Sequence, residues 1–315
     1  MASPVTHRGT SSRAVTEALY RAVVAAGHAP SAHNTQPWRW HLTGPVLDLF
    51  ADPDRMAGVP DPAGHLTAVS CGAALHHARL SLAAQGWHVT VDRRPASTGS
   101  RHLARLHIDG AAPVSFGTAR LARAIKQRHT DLRPVTGWPI EPQELRIVVR
   151  AFTSHDIRVH ILRPDQILVL TVVAAHSSAP GFAEQQWHDQ MALWAGADRI
   201  AGAGDNLRLP VQQGEHDRAA TFVLLHGSGD HPVDWLSAGE ALSAGWLVAT
   251  QYGMSVMPFS APIEQGRCQA NLRHVVPDLD HPYLMMRLGR HKSPALAPPT
   301  PRRSVEQIIE RVRAR

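Results

Sequence analysis

Apolar residues fall at helical spacing across positions 12–27, with Val15, Leu19, Ala22, Val23 and Ala26 on one face. A serine at 11 or 12 can cap the start of this helix and Gly27 stops it. A polar run follows, "APSAHNTQP". Then "WRWHL" and "VLDLFAD" read as strands, the second a buried run because it is almost wholly apolar. Positions 64–86 form a long helix rich in small residues that ends at Gly86, and "WHVTVDRRP" and "LARLHIDG" are further strands.

The second half repeats part of this pattern. Without a gap, residues 72–89 align with 239–256, so that Gly72 meets Gly239, Ala74 meets Ala241, Leu75 meets Leu242, Leu80 meets Leu247, Gly86 meets Gly253 and Val89 meets Val256. A weaker echo relates 19–42 to 144–162, each with an apolar helix, a Ser and a His in the turn, then Arg-apolar-His-apolar. Two echoes in the same order predict a duplicated unit, with copies at 13–110 and 118–292 and a C-terminal extension at 293–315. Within the second copy, 176–217 is an insertion, Gly- and Ala-rich and poorly periodic, read as a surface loop or lid.

Composition narrows the function classes. The 315 residues carry a formal charge of +6, but the cations are dispersed arginines and the lysines are Lys126 and Lys292 alone. No basic stripe interleaved with aromatics appears, which argues against nucleic acid as a partner. Cys71 and Cys268 have neither metal-site nor disulfide spacing and fit a reducing cytoplasm. No signal-peptide core and no bilayer-length apolar run is present, so no membrane partner is expected. His28, His33, His76 and His77 lack a completing Cys or carboxylate, so no metal is expected. A Gly-x-Gly-x-x-Gly after a strand and a Gly-x-Ser-x-Gly elbow are both missing, and "DHPVDWLSAG" reads as a loop capping a helix from Ser237.

Three stretches could carry chemistry. "APSAHNTQPWRW" crowds polar side chains against two tryptophans, and polar groups in such a setting need partners. In "AIKQRHTDLRPVTGWPIEPQEL", Arg128, Thr130 and Arg133 lie between a helix and a proline-initiated helix at Pro142. They form either a phosphate grip or a solvated turn. In "MSVMPFSAPIEQG" a strand runs into Pro258, and the turn after it exposes backbone donors or simply connects.

These residues resemble a known family. "PSAHNTQPWRW" is similar to the Pro-Ser-x-x-Asn-x-Gln-Pro-Trp loop of the FMN-dependent nitroreductases, "RHTDLRP" to their Arg-x-Ser/Thr-x-Arg segment, and "APIE" to their turn beside the flavin. "DWLSAGEAL", "YLMMRLGR" and "PPTPRRSV" resemble the double-length, Acg-like branch of actinobacteria, over about 13–309. The resemblance implies an α+β fold in which two nitroreductase-like repeats form an intramolecular pseudo-dimer, the chain being a monomer or a homodimer. It implies FMN held by Pro30, Ser31, His33, Asn34 and Gln36 of the first repeat and by Arg128, Thr130 and Arg133 of the second. Pro262, Ile263 and Glu264 would lie near flavin N5, and Arg302 and Arg303 would add to the phosphate grip. His129 stands where many relatives have a second arginine. The reciprocal site, "FTSHDI" with "THRGTSSRAV", keeps only remnants, so one site is expected to be lost.

The function implied is an FMN-dependent oxidoreductase that takes a hydride from NAD(P)H and passes electrons to a small-molecule acceptor such as a nitroaromatic or quinone. The alternative is an FMN-binding protein that stores flavin, which a lid at 176–217 would favour.

Overall fold

The structure is a computed structural model that describes residues 12–57, 59, 61–93, 101–131, 135, 137–153, 156–167, 169–170, 219–259, 272–291 and 300–311. Two sheets are built to one plan. Helix α1 (Ser12–Ala26), β1 (Trp38–Thr43), β2 (Val46–Ala51), α2 (His65–Ala84), β3 (Trp87–Arg93) and β4 (His102–Ala111) make the first half. After α3 (Phe116–Gln127) the same succession recurs: α4 (Pro142–Phe152), β5 (Arg158–Ile161), β6 (Thr221–Gly227), α5 (Pro232–Gln251), β7 (Ser255–Phe259) and β8 (His281–Gly289). The four strands of the first half lie in the order β3-β4-β2-β1 and those of the second in the order β7-β8-β6-β5, the same arrangement.

The register makes the match residue by residue. Arg39 pairs with Phe50 and Trp40 with Leu49, while Arg158 pairs with His226 and Val159 with Leu225. A bulge falls between Leu49 and Phe50 against β4, and its counterpart falls between Leu225 and His226 against β8. The two Arg-apolar-His-apolar strings therefore occupy equivalent strand positions.

At the centre α2 and α5 cross with their backbones in contact. A methyl group on Gly72 would stand 1.9 Å from the Leu236 carbonyl oxygen, and one on Gly239 would stand 2.0 Å from that of Val69. Each glycine thus faces the carbonyl three residues before the other. One turn on, His76 Nδ1 meets Ser243 Oγ at 2.8 Å. Apolar clusters flank the crossing, one around Trp38, Trp40 and Leu75 under the first sheet, the other around Trp235, Trp246 and Met286 under the second.

One expectation needs correction. The segment at 230–236, read as a loop capping a helix from Ser237, is already helical from Pro232. Proline suits the first turn because its missing N–H would be unpaired there, and Asp234 closes a capping box by accepting from the His231 N–H at 2.9 Å. The C-terminal extension joins the first sheet. Its residues form α6 (Val305–Ile308) and β9 (Ile309–Arg311), and β9 pairs parallel with β1, Trp40 opposite Ile309. By contrast Pro258 sits where proline can, within β7 at the edge of its sheet.

Gly72→Ala and Gly239→Ala are each expected to destabilise by about 3 kcal/mol or more, the upper end of overpacking costs, because the clash is with backbone. Gly110→Ala, where nothing lies within 4 Å of the added carbon, should stay within about 0.5 kcal/mol. Urea unfolding midpoints of the three variants check this, and equal midpoints would refute the tight crossing.

Candidate anion-binding site at the seam of the two halves

The polar loop is held in a conformation that few residues adopt willingly. His33, Asn34 and Gln36 have φ of 48°, 56° and 54°, the left-handed region, which costs of order 1–3 kcal/mol per non-glycine residue unless the surroundings fix it. Here they do. The Gln36 N–H donates to Ser31 Oγ at 3.0 Å and Gln36 Nε2 to the Asn34 carbonyl at 3.2 Å. The Ala32 N–H donates to Ser70 Oγ on α2 at 3.1 Å. From below, Arg55 donates to the Gln36 and Trp38 carbonyls at 3.1 and 2.8 Å. Trp38 and Trp40 are fully buried, as the sequence predicts.

The loop's remaining polar groups face the C-terminal segment. Asn34 Nδ2 donates to the Pro301 carbonyl at 2.9 Å, Asn34 Oδ1 accepts from Arg302, and Gln36 Oε1 accepts from the Arg303 N–H at 2.9 Å. Arg303 therefore contributes its backbone, and it is exposed. Pro30 is buried and His33 exposed at the loop's edge.

Arg128 comes to the same place from the second half. It terminates α3, whose Ala124 and Ile125 pack with Leu80 of α2 and Leu247 of α5. The chain then runs beside β7: Thr130 bridges Val256, and Arg287 donates to the Asp131 carbonyl at 3.2 Å. The Arg128 guanidinium lies 4.5 Å from the Trp246 ring centroid, and its Nη2 donates to the His28 carbonyl at 3.3 Å. Its Nε and Nη1 are buried without a hydrogen-bond partner. The same His28 carbonyl accepts from Arg302 at 3.5 Å.

Two guanidiniums thus converge on one carbonyl, and among the described residues no carboxylate lies between them. Burial, then the charge of Arg302, pushes Arg128 down to about 9, and burial lowers Arg302. Burial also holds His77 well below its ordinary value, with Arg128 adding to the effect, and it lowers His28 together with Arg302, Lys126 and Arg128. Both shifts favour the neutral form of His28 and His77, and the cations acting on His28 are Arg302, Lys126 and Arg128. Unpaired buried donors beside uncompensated cations fit an anion with several acceptor oxygens.

No family model matches the chain. It is 30% identical over 322 residues to "Putative NAD(P)H nitroreductase" of Mycobacterium tuberculosis strain H37Rv, covering 93% of this chain and 91% of that protein. The chain belongs to the nitroreductase family. "Putative NAD(P)H nitroreductase acg" of the same organism is 28% identical over 326 residues, covering 95% and 97% of the two chains. Among solved structures, an FMN-bound nitroreductase of Bacteroides fragilis is 13% identical with a TM-score of 0.39, covering 57% of this chain and 93% of that one.

In this nitroreductase-family chain the structure brings together Ser31, Asn34, Gln36, Arg302 and Arg128, while Thr130 lies against Val256 of β7. Arg133, Pro262, Ile263 and Glu264 lie outside the described residues, as does the insertion at 176–217. Sequence reasoning missed Trp246, Ser70, Arg55 and the His28 carbonyl. The helical spacing of Trp246 marks it only as core. Among the described residues no group of His, Cys, Asp and Glu could hold a metal, and no helix is long and apolar enough to cross a membrane.

The anion seat has a direct test. Inorganic phosphate should raise the melting temperature of the flavin-free protein above that in chloride of equal ionic strength. Arg128→Met should abolish that response without lowering the melting temperature in chloride, because it removes a buried charge that lacks a counter-ion. A wild-type response no larger than that of the variant would rule the seat out.

Proposed function

We propose that the chain binds a single FMN at the seam between two nitroreductase-like repeats and acts as an NAD(P)H-dependent oxidoreductase. The observation that carries this reading is the buried, unpaired Arg128 guanidinium beside Arg302. The donor set fits a phosphate monoester. Arg128 and Arg302 would hold the phosphate, Trp246 would seat Arg128 from behind, and Asn34 would aim Arg302. Ser31 and the loop backbone would face the sugar and ring portions. Bound FMN would supply the redox chemistry, accepting a hydride from NAD(P)H and passing electrons to a nitroaromatic, quinone or similar acceptor.

The duplicated plan supports a single site per chain. Equivalent helix positions differ by 167, so Trp246 of α5 corresponds to Arg79 of α2, and Ala73 to Glu240. Where one side leaves an arginine uncompensated, the other is neutralised internally: Arg79 lies 2.6 Å and Arg93 2.7 Å from the buried Glu240 carboxylate. Burial works against ionising Glu240, yet Arg93 and Arg79 hold it below the usual carboxylate range. A carboxylate at that position opposes a second phosphate.

Purified protein is expected to release FMN, not FAD, with a single molecule per chain, and anaerobic NADPH should bleach its flavin band. Arg128→Ala should weaken FMN by roughly 1.5–3 kcal/mol, the value of a charge-assisted bond. Arg158→Ala should leave it unchanged, because Arg158 pairs with Asp280 in the second half. Equal FMN dissociation constants for the two variants would refute this placement, and a flavin band that NADPH leaves intact would refute the oxidoreductase reading.

A further inference from the structure

The matched halves differ in how they fill the space under the start of the central helix. In the second half that space holds two aromatic rings. Trp235 and Tyr283, each 1% exposed, pack edge to face with centroids 4.9 Å apart. Both polar tips donate: Tyr283 Oη to the Gly229 carbonyl at 2.6 Å, and Trp235 Nε1 to Asp230 at 2.9 Å. Gly227 makes room, since a methyl group there would stand 2.8 Å from Tyr283 Oη.

The first half carries smaller residues at the equivalent positions. The helix alignment that pairs Gly72 with Gly239 pairs Ala68 with Trp235. Ala104 opposes Leu49 and Leu284 opposes Leu225, each next to its bulge, so Leu103 corresponds to Tyr283. Both rings are gone, and a cleft of about 720 Å³, open to solvent, lies there, walled by Met56, Asp61, Thr67, Ala68, Leu103 and Pro232 among others. A cleft of this size falls in the range of small-molecule sites.

Apart from Arg101, which pairs with Asp54 at 3.5 Å, the polar side chains in the wall offer acceptors. Asp61 Oδ2 already takes the Thr67 N–H at 2.9 Å and the Thr67 hydroxyl at 2.7 Å, while Oδ1 takes only the Leu66 N–H at 3.1 Å. One carboxylate lone pair and the Thr67 oxygen remain for a donor. The wall and the polar loop share the short helical turn Pro53–Met56, where Thr35 Oγ1 contacts Met56 Sδ at 3.1 Å.

We propose that this cleft is a binding site for a flat one- or two-ring aromatic molecule bearing a hydroxyl or amino donor. Such a ligand restores from outside what Trp235 and Tyr283 supply within the second half. The site is independent of the flavin reading, and binding to it needs neither bound cofactor nor turnover.

Equilibrium dialysis of the purified protein with 2-naphthol tests it, with naphthalene as the ring that lacks a donor. Saturable binding of 2-naphthol, at least tenfold tighter than naphthalene, is expected. The double variant Ala68→Trp, Leu103→Tyr should lose this binding while keeping the wild-type circular dichroism spectrum, and should melt at a higher temperature. If that variant does not fold, Ala57→Trp on the exposed rim of the cleft should weaken binding at least tenfold instead. Absence of saturable binding to the wild type, equal affinity for the two probes, or unchanged affinity in the folded variant would each overturn the proposal.

Discussion

The contact of α2 with α5 through two glycines is the constraint on which the rest of the molecule depends. Because Gly72 and Gly239 let the helix backbones touch, the positions one and two turns further on face each other across the seam. His76 meets Ser243 there. The groove above them receives Ala124 and Ile125 of α3, and α3 ends at Arg128. Moving the helices apart by the width of a methyl group would move the seat of Arg128 with them. The site is a property of the crossing more than of any single loop.

Around that crossing, related positions meet the cost of a buried charge in opposite ways. Glu240 is almost fully buried and has two arginines, so the chain supplies both signs itself. Arg128 is as deeply placed and has an aromatic face, one carbonyl and another cation. Low dielectric surroundings make the second arrangement costly unless something anionic arrives. It is this imbalance, more than the number of polar side chains in the loop, that points to a ligand.

How much was legible beforehand follows from the range of each interaction. Trp38 and Trp40 betrayed their burial because alternation within one strand is local. The equivalence of α2 and α5 was legible because glycines at a helix crossing tolerate no substitute, so matching positions stay recognisable. The start of α5 at Pro232 was obscured because a proline and two aspartates look like a turn when the capping box is unseen. Asn34 and Gln36 were read as facing a ligand, yet their amides are taken up by Pro301, Arg302 and Arg303. No spacing rule links residues so distant in sequence. The cleft was invisible for a related reason: Ala68 and Leu103 are unremarkable until their counterparts are seen to be Trp235 and Tyr283.

The C-terminal strand carries a consequence for the order of events during synthesis. Asn34 and Arg302 are separated by 268 positions, and Trp40 pairs with Ile309. A nascent chain can therefore assemble both sheets and close the helix crossing while β1 still presents an open edge and the loop still lacks its clamp. Such edges invite pairing with other chains, and contacts of long sequence separation form late. Arg302 must leave the ribosome before it can join Arg128 at the His28 carbonyl, so the two guanidiniums meet only after both sheets have emerged.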